Sequence, residues 1–297
     1  TINHAYDLDE LNIDPDESAT IIKATRPGIV TFGGSLFQFP HPVKELAEGA
    51  KESGAYVVYD AAHVLGLIAG GQFEDPFKEG ADFITASTHK TFPGPQGGVI
   101  LANSGDERME KATKMVQRAV FPLTTSNTHL GRLPALGLVA LELKLYGAEL
   151  AKQTVKNAQT AGEYLFENGV KVLGEKKGFT RSHQIAVDVR AYGGGRKLAE
   201  SLEEANIILN KNLLPYDDQR NRENPSGIRI GFQDATRRGF KESDVKHLCD
   251  LMLDVVKGKR KPAEVRKDVI ALRQGFKGIK YGFQSVDEVV NHLKKHA

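Results

Sequence analysis

Over the first hundred residues, short β-branched runs alternate with segments of helical spacing. Gly28-Ile29-Val30-Thr31-Phe32 is brief, β-branched and closed by Gly33-Gly34, the composition of a strand. From Pro42 onward, Val43, Leu46, Ala47 and Ala50 keep the i, i+3, i+4, i+7 spacing of one helical face, and Gly54 stands where a glycine ends a helix. Tyr56-Val57-Val58-Tyr59 then forms the continuous apolar run that a strand covered on both faces requires, and it stops at Asp60. Further candidate strands at Phe83 to Ala86 and Gly98 to Ala102 continue the alternation, which predicts an α/β layer architecture with a mostly parallel sheet. The connection before the last of these is too short for a crossover, so that pair is open to antiparallel pairing.

From Leu133 to Glu167 runs a long helical pattern carried by Leu136, Val139, Leu143, Tyr146 and Leu150, softened at Gly147 and stopped by Asn168-Gly169. It reads as a bridge between a domain over 1–150 and a smaller α+β domain over 151–297. In the second, candidate strands (Val170 to Leu173, Gln184 to Val189, Ile207 to Leu209, Gly227 to Gly231) alternate with candidate helices (Gly195 to Ala205, Glu242 to Val256, Pro262 to Phe276). Gly193-Gly194-Gly195 suits a flexible loop entering a helix better than a phosphate cradle.

Composition narrows the classes of function. A chain of 297 residues with 40% hydrophobic content can bury a sizeable core, and a formal charge of +2 lacks the footprint of a nucleic-acid binder, so a small-molecule partner is expected. No apolar run approaches the roughly 18 residues of a membrane span. The single cysteine, Cys249, excludes an internal disulfide and is expected as a buried thiol on a helix, in keeping with a reducing cytoplasm. The chain opens Thr1-Ile2-Asn3-His4 without Met and runs into a polar, acidic stretch from Asp7 to Glu17, as though in mid-sentence.

The candidate chemistry lies in Tyr59-Asp60-Ala61-Ala62-His63-Val64-Leu65-Gly66-Leu67 and in Ser87-Thr88-His89-Lys90-Thr91-Phe92-Pro93-Gly94-Pro95-Gln96-Gly97-Gly98. In open α/β sheets, ligands collect at the carboxyl ends of strands. Asp60 and Ser87-Thr88-His89-Lys90 are each expected just past such an end, where a plain Asp60–Lys90 ion pair is the simplest alternative. Pyridoxal phosphate asks for a lysine amine for an imine, a carboxylate to keep the ring nitrogen protonated, and hydroxyl or imidazole groups to orient ring and phosphate. All three kinds are present, and the Pro93–Gly98 run pins a tight loop after Lys90.

Asp-x-Ala-His-x-x-Gly-Leu followed by Thr-His-Lys-Thr-x-x-Gly-Pro-x-Gly-Gly resembles the serine hydroxymethyltransferase family, and its archaeal members in particular, over nearly the whole chain. The resemblance implies a fold-type-I pyridoxal-phosphate-dependent transferase, with Lys90 as Schiff-base lysine, Asp60 as partner of the pyridine nitrogen and His63 beside the ring. Ser87, Thr88 and His89 match the segment that tunes phosphate contacts and transfer of the cofactor to substrate. Ser226-Gly227-Ile228-Arg229-Ile230-Gly231 resembles the substrate-carboxylate motif, with Arg229 as the grip. Asn210-Lys211-Asn212 resembles a segment near the pterin, Asn212 being the expected contact, and Ser35 stands where the family has a hydroxyl near the cofactor's phenolic oxygen.

Two departures accompany the match. Where the family has a glycine-rich segment reaching a neighbouring subunit's phosphate, this chain has Phe121-Pro122-Leu123-Thr124-Thr125-Ser126-Asn127-Thr128-His129, leaving backbone amides or Ser126 for that contact. The family's N-terminal stretch, with its phosphate cradle, ring-stacking histidine and acid/base glutamate, has no counterpart here, so these residues alone are expected to bind the cofactor weakly or not at all. The resemblance implies serine/glycine interconversion, a reduced pterin (tetrahydrofolate or tetrahydromethanopterin) as one-carbon acceptor, and a homodimer. The alternatives are another fold-type-I lyase such as a threonine aldolase, and a catalytically incomplete binding or dimerisation module.

Overall fold

A computed structural model describes residues 1–103 and 105–296. The chain divides into two compact units: residues 1–7, 12–35 and 40–141, and residues 8–11, 36–39 and 142–297.

The first unit begins with a small hairpin, β1 (Tyr6–Asp7) and β2 (Asn12–Ile13), and then α1 (Pro15–Thr25). Helix α1 starts where the acidic stretch supplies a cap: Asp14 accepts from the Glu17 N–H at 2.9 Å and Pro15 opens the first turn. Next come β3 (Ile29–Gly33), α2 (Val43–Glu52), β4 (Tyr56–Asp60), α3 (Leu65–Ala69), β5 (Phe83–His89), β6 (Pro93–Ala102) and α4 (Glu107–Arg118). The sheet order is β3-β4-β5-β6, parallel except for the last pair. Val43, Leu46, Ala47 and Ala50 are the buried face of α2, as the periodicity predicts, and Gly54 adopts φ +91° beyond its end. Val57 and Tyr59 point into one core, while Tyr56 and Val58 pack with Phe83 against Met109 and Ala112 of α4, so β4 is covered on both faces.

Several expectations need correction. Strands β5 and β6 form a longer hairpin than the apolar runs indicate: the ladder continues through Ser87↔Gly98 to His89↔Pro93, because backbone pairing does not need apolar side chains. Ser87, Thr88 and His89 therefore lie within β5, Asp60 is the last residue of β4, and only Lys90 is just past a strand end. The long helix α5 (Arg132–Glu167) runs unbroken through Gly147.

The second unit holds β7 (Lys171–Val172), β8 (Gln184–Asp188), α6 (Gly195–Glu204), β9 (Asn210–Asn212), β10 (Gly227–Gly231), α7 (Gln233–Arg237), α8 (Glu242–Val256), α9 (Pro262–Gln274) and α10 (Val286–His296). Its antiparallel sheet, β7-β8-β10-β9, buries Ile185, Val187 and Ile228 against Leu198 and Leu202 of α6, Val245, Cys249 and Met252 of α8, and Val265 of α9. Cys249 is fully buried, and burial pushes its thiol up to about 12, a packed group and not a reactive one. The strand expected at Ile207 to Leu209 is instead β9, three residues on. Ile207 is buried, but the ladder to β10 begins at Asn210, opposite Arg229. Among the described residues, no helix is long and apolar enough to cross a membrane.

Candidate functional site

The carboxyl ends of β3, β4 and β5 assemble the first unit's candidate residues. Gly33 lies opposite Asp60 and Asp60 opposite Thr85 in the parallel ladders. Gly33 is the one residue type that fits its place: its φ is +101°, and a Cβ there would collide with the Asp60 carbonyl oxygen. The half-buried Asp60 carboxylate accepts the Ala62 N–H on Oδ1 at 2.9 Å, which turns the chain toward His63 and leaves Oδ2 without a hydrogen bond among the described residues. Lys90 donates from Nζ to Ser87 Oγ at 3.0 Å. Neither Asp60 nor Lys90 joins an ion pair among the described residues, so the simplest alternative, a structural Asp60–Lys90 bridge, does not hold.

Two residues that the motifs contain, but to which no role was given, lock the aspartate turn to the lysine turn. Buried Thr91 donates from Oγ1 to the His63 carbonyl at 2.9 Å and accepts from the Gly66 N–H at 3.1 Å. Gly66 approaches so closely that a Cβ would strike the Thr91 carbonyl. Thr88, also buried, donates to the Pro95 carbonyl at 2.7 Å and closes the turn that carries Lys90. Asp60, His63, Ser87, Thr88 and Lys90 are thus gathered on one edge. His89 is exposed on the hairpin, where its Nδ1 accepts from the Gly97 N–H at 3.4 Å. Ser35 follows the Gly33 turn and is exposed, and Ser126 lies in an exposed segment with no hydrogen bond among the described residues.

The second unit carries Arg229 on β10, between buried Ile228 and Ile230. Its Nη2 donates to Asn210 Oδ1 at 2.9 Å, and burial lowers the guanidinium's pKa. Asn210 is a partner that motif reasoning did not single out. Asn212 sits opposite Gly227 and donates to the Leu213 carbonyl at 2.6 Å. No group of three or more His, Cys, Asp or Glu stands where it could hold a metal ion among the described residues.

A sequence profile described as serine hydroxymethyltransferase matches residues 1–252. The chain belongs to the serine hydroxymethyltransferase family. Curated relatives include the serine hydroxymethyltransferases of Staphylothermus marinus, 51% identical over 98% of this chain, and of Picrophilus torridus, 52% identical over 95%. The chain spans 65% and 64% of the length of those two relatives. Among solved structures, the L-threonine transaldolase of Pseudomonas fluorescens matches with a TM-score of 0.86 at 30% identity, over 99% of this chain and 66% of that one. The fold is that of fold-type-I pyridoxal-phosphate enzymes, with an α/β unit whose sheet is mostly parallel.

Proposed function

We propose that this member of the serine hydroxymethyltransferase family works in the pyridoxal-phosphate-dependent interconversion of serine and glycine, passing a one-carbon unit to a reduced pterin. One observation carries the reading: Asp60 and Lys90 stand at the carboxyl edge of adjacent parallel strands without being spent on each other. The donor set fits the cofactor. Asp60 keeps one carboxylate oxygen for a ring N–H, Lys90 keeps an amine whose one described partner is a neutral hydroxyl, and Ser87 and Thr88 line the same strand end.

When bound, pyridoxal phosphate supplies an electron sink for the bond broken at the amino acid's α-carbon. The chain's residues supply the rest. Lys90 would hold the cofactor covalently through Nζ, with Ser87 Oγ orienting that amine. Asp60 Oδ2 would keep the proton on the ring nitrogen, and His63, anchored at its backbone by Thr91, would flank the ring. Ser35 and His89 would serve the ring's oxygen and the adjoining contacts, and Ser126 a phosphate across a homodimer. Arg229, half-buried and held by Asn210, would receive the substrate carboxylate in a forked pair. Asn212 would contact a tetrahydrofolate- or tetrahydromethanopterin-type acceptor, in a cytoplasmic setting.

Borohydride reduction of the chain mixed with pyridoxal phosphate, followed by peptide mass analysis, tests the assignment. A pyridoxyl adduct concentrated on Lys90 is expected, and Lys90→Ala should abolish it. Adducts spread over surface lysines, unchanged in Lys90→Ala, would overturn the reading.

A further inference from the structure

Behind the Asp60 edge lies a buried polar cluster that the proposed chemistry does not use. Glu74, on the loop after α3, is 8% exposed, and its Oε1 accepts both the Tyr59 hydroxyl and, at 3.1 Å, the His41 N–H. Its Oε2 is buried, and the Glu79 side chain lies within hydrogen-bonding reach of the Glu74 carboxyl. Tyr59 is fully buried and immediately precedes Asp60 on β4. His41 reaches the other way: its Nδ1 accepts the Gly33 N–H at 3.0 Å, and Gly33 is the residue opposite Asp60. One carboxyl group therefore ties together the two strand ends that form the edge.

We propose that Glu74 is a positioning residue of this edge, holding through His41 and Tyr59 the Gly33–Ser35 turn in place beside Asp60. The relevance to cofactor attachment rests on the function proposed above, whereas the hold on the turn does not. The chemistry of the cluster agrees. A buried carboxylate is costly as an anion, and burial, opposed by the hydrogen bonds from Tyr59 and His41 and reinforced by the charge and hydrogen bond of Glu79, pushes the Glu74 carboxyl up to about 8, so it keeps its proton at neutral pH. Burial, aided by His4, holds His41 down at about 3, so its Nδ1 stays free of a proton and keeps accepting from Gly33. The groups facing Glu74 are Tyr59 from β4, His41 from the turn before α2 and Glu79 from its own loop. His4 faces His41, Asp60 adds its charge at Tyr59, and Lys44, Glu45 and Asp75 act on Glu79.

The sign of the pH dependence follows. The folded state holds this proton more tightly than the unfolded chain, so the contribution is complete below about 4.5 and is lost as pH rises through about 8.

Amide hydrogen exchange on the unloaded 297-residue chain tests the hold, using peptides that span Gly33 to His41. In Glu74→Ala, exchange there should quicken about tenfold, the scale of one lost hydrogen bond, while the neutral isostere Glu74→Gln stays within about twofold of the unsubstituted chain at pH 7. Thermal midpoints should show the unsubstituted chain losing stability relative to Glu74→Gln between about pH 4.5 and 8. The borohydride adduct at Lys90 should fall about fivefold or more in Glu74→Ala and recover in Glu74→Gln. Unchanged exchange in Glu74→Ala overturns the proposal. Quickened exchange with an undiminished adduct overturns it too, reducing Glu74 to a core carboxyl. Absence of the Lys90 adduct in the unsubstituted chain counts against the cofactor reading instead, and the exchange result still decides whether Glu74 holds the turn.

Discussion

At the end of β8 in the second unit, Asp188 is 5% exposed and surrounded by donors: Arg190 at 2.6 Å, Tyr216 at 2.8 Å and Lys171 at 3.4 Å. At the end of β4 in the first unit, Asp60 is half-buried and accepts one backbone N–H. Both are aspartates closing a strand. Burial alone would raise the Asp188 carboxyl, but the hydrogen bonds from Arg190 and Tyr216 outweigh it and hold it well below the usual carboxylate range. A charge fully spent on its own protein is architecture, and one kept in place with an open oxygen is available to a ligand. The contrast separates structural from functional candidates where residue type cannot.

Substituting both aspartates should make the contrast cross over. Asp60→Ala is expected to lower turnover by 10²-fold or more, about 3 kcal/mol of lost charge stabilisation, while unfolding free energy moves by less than about 1 kcal/mol. Asp188→Ala should do the reverse, costing about 1–3 kcal/mol in denaturant unfolding with little change in the Lys90 adduct. The sign with pH follows from the lowered Asp188 carboxyl: its stabilisation is present above about 4, the ordinary aspartate range, and fades as pH falls further. That is opposite to Glu74. Equal stability losses from Asp60→Ala and Asp188→Ala would erase the distinction.

A smaller effect probes how the first unit keeps its residues poised. Thr91→Val preserves shape while removing the hydroxyl that bridges the His63 carbonyl and the Gly66 N–H. A stability loss of about 1–2 kcal/mol is expected, with a weakened Lys90 adduct because the lysine turn is no longer tied to the aspartate turn. An adduct as strong as in the unsubstituted chain would mean that the Thr88–Pro95 bond alone fixes the turn.

Legibility in the sequence followed the physics of each element. β3, α2 and β4 announce themselves because each buries side chains at the period of its own geometry. α4 does not, since it buries only Met109 and Ala112 and otherwise presents polar residues. α1 had a signal, Asp14-Pro15 opening an acidic first turn, but no broad apolar face: only Ser18 and Ile22 are buried. The glycine-rich start of β6 is paired through its backbone and carries no alternation to read. At the site, Lys90, Asp60 and Arg229 were legible as motif residues. Glu74 was not, because its meeting with Tyr59 depends on how the loop after α3 returns to β4, which no spacing encodes.

The second unit offers the subtlest test of the same contrast, because Arg229 is held by Asn210 on a strand whose neighbouring residues are buried. One nitrogen of its fork donates to Asn210 Oδ1, and partial burial of the side chain lowers the guanidinium's pKa. If Asn210 aims the fork, Asn210→Ala should raise KM for serine by about three- to tenfold, the worth of one modest hydrogen bond, with kcat nearly unchanged. Stability should move by less than about 1 kcal/mol, since the exposed β9 edge can rehydrate. Arg229→Lys keeps the charge but loses the planar fork, and should raise KM further than Asn210→Ala does. A larger effect on unfolding than on KM would assign the Asn210–Arg229 bond to the sheet edge, alongside Asp188 and its partners, and leave the carboxylate grip to be sought elsewhere.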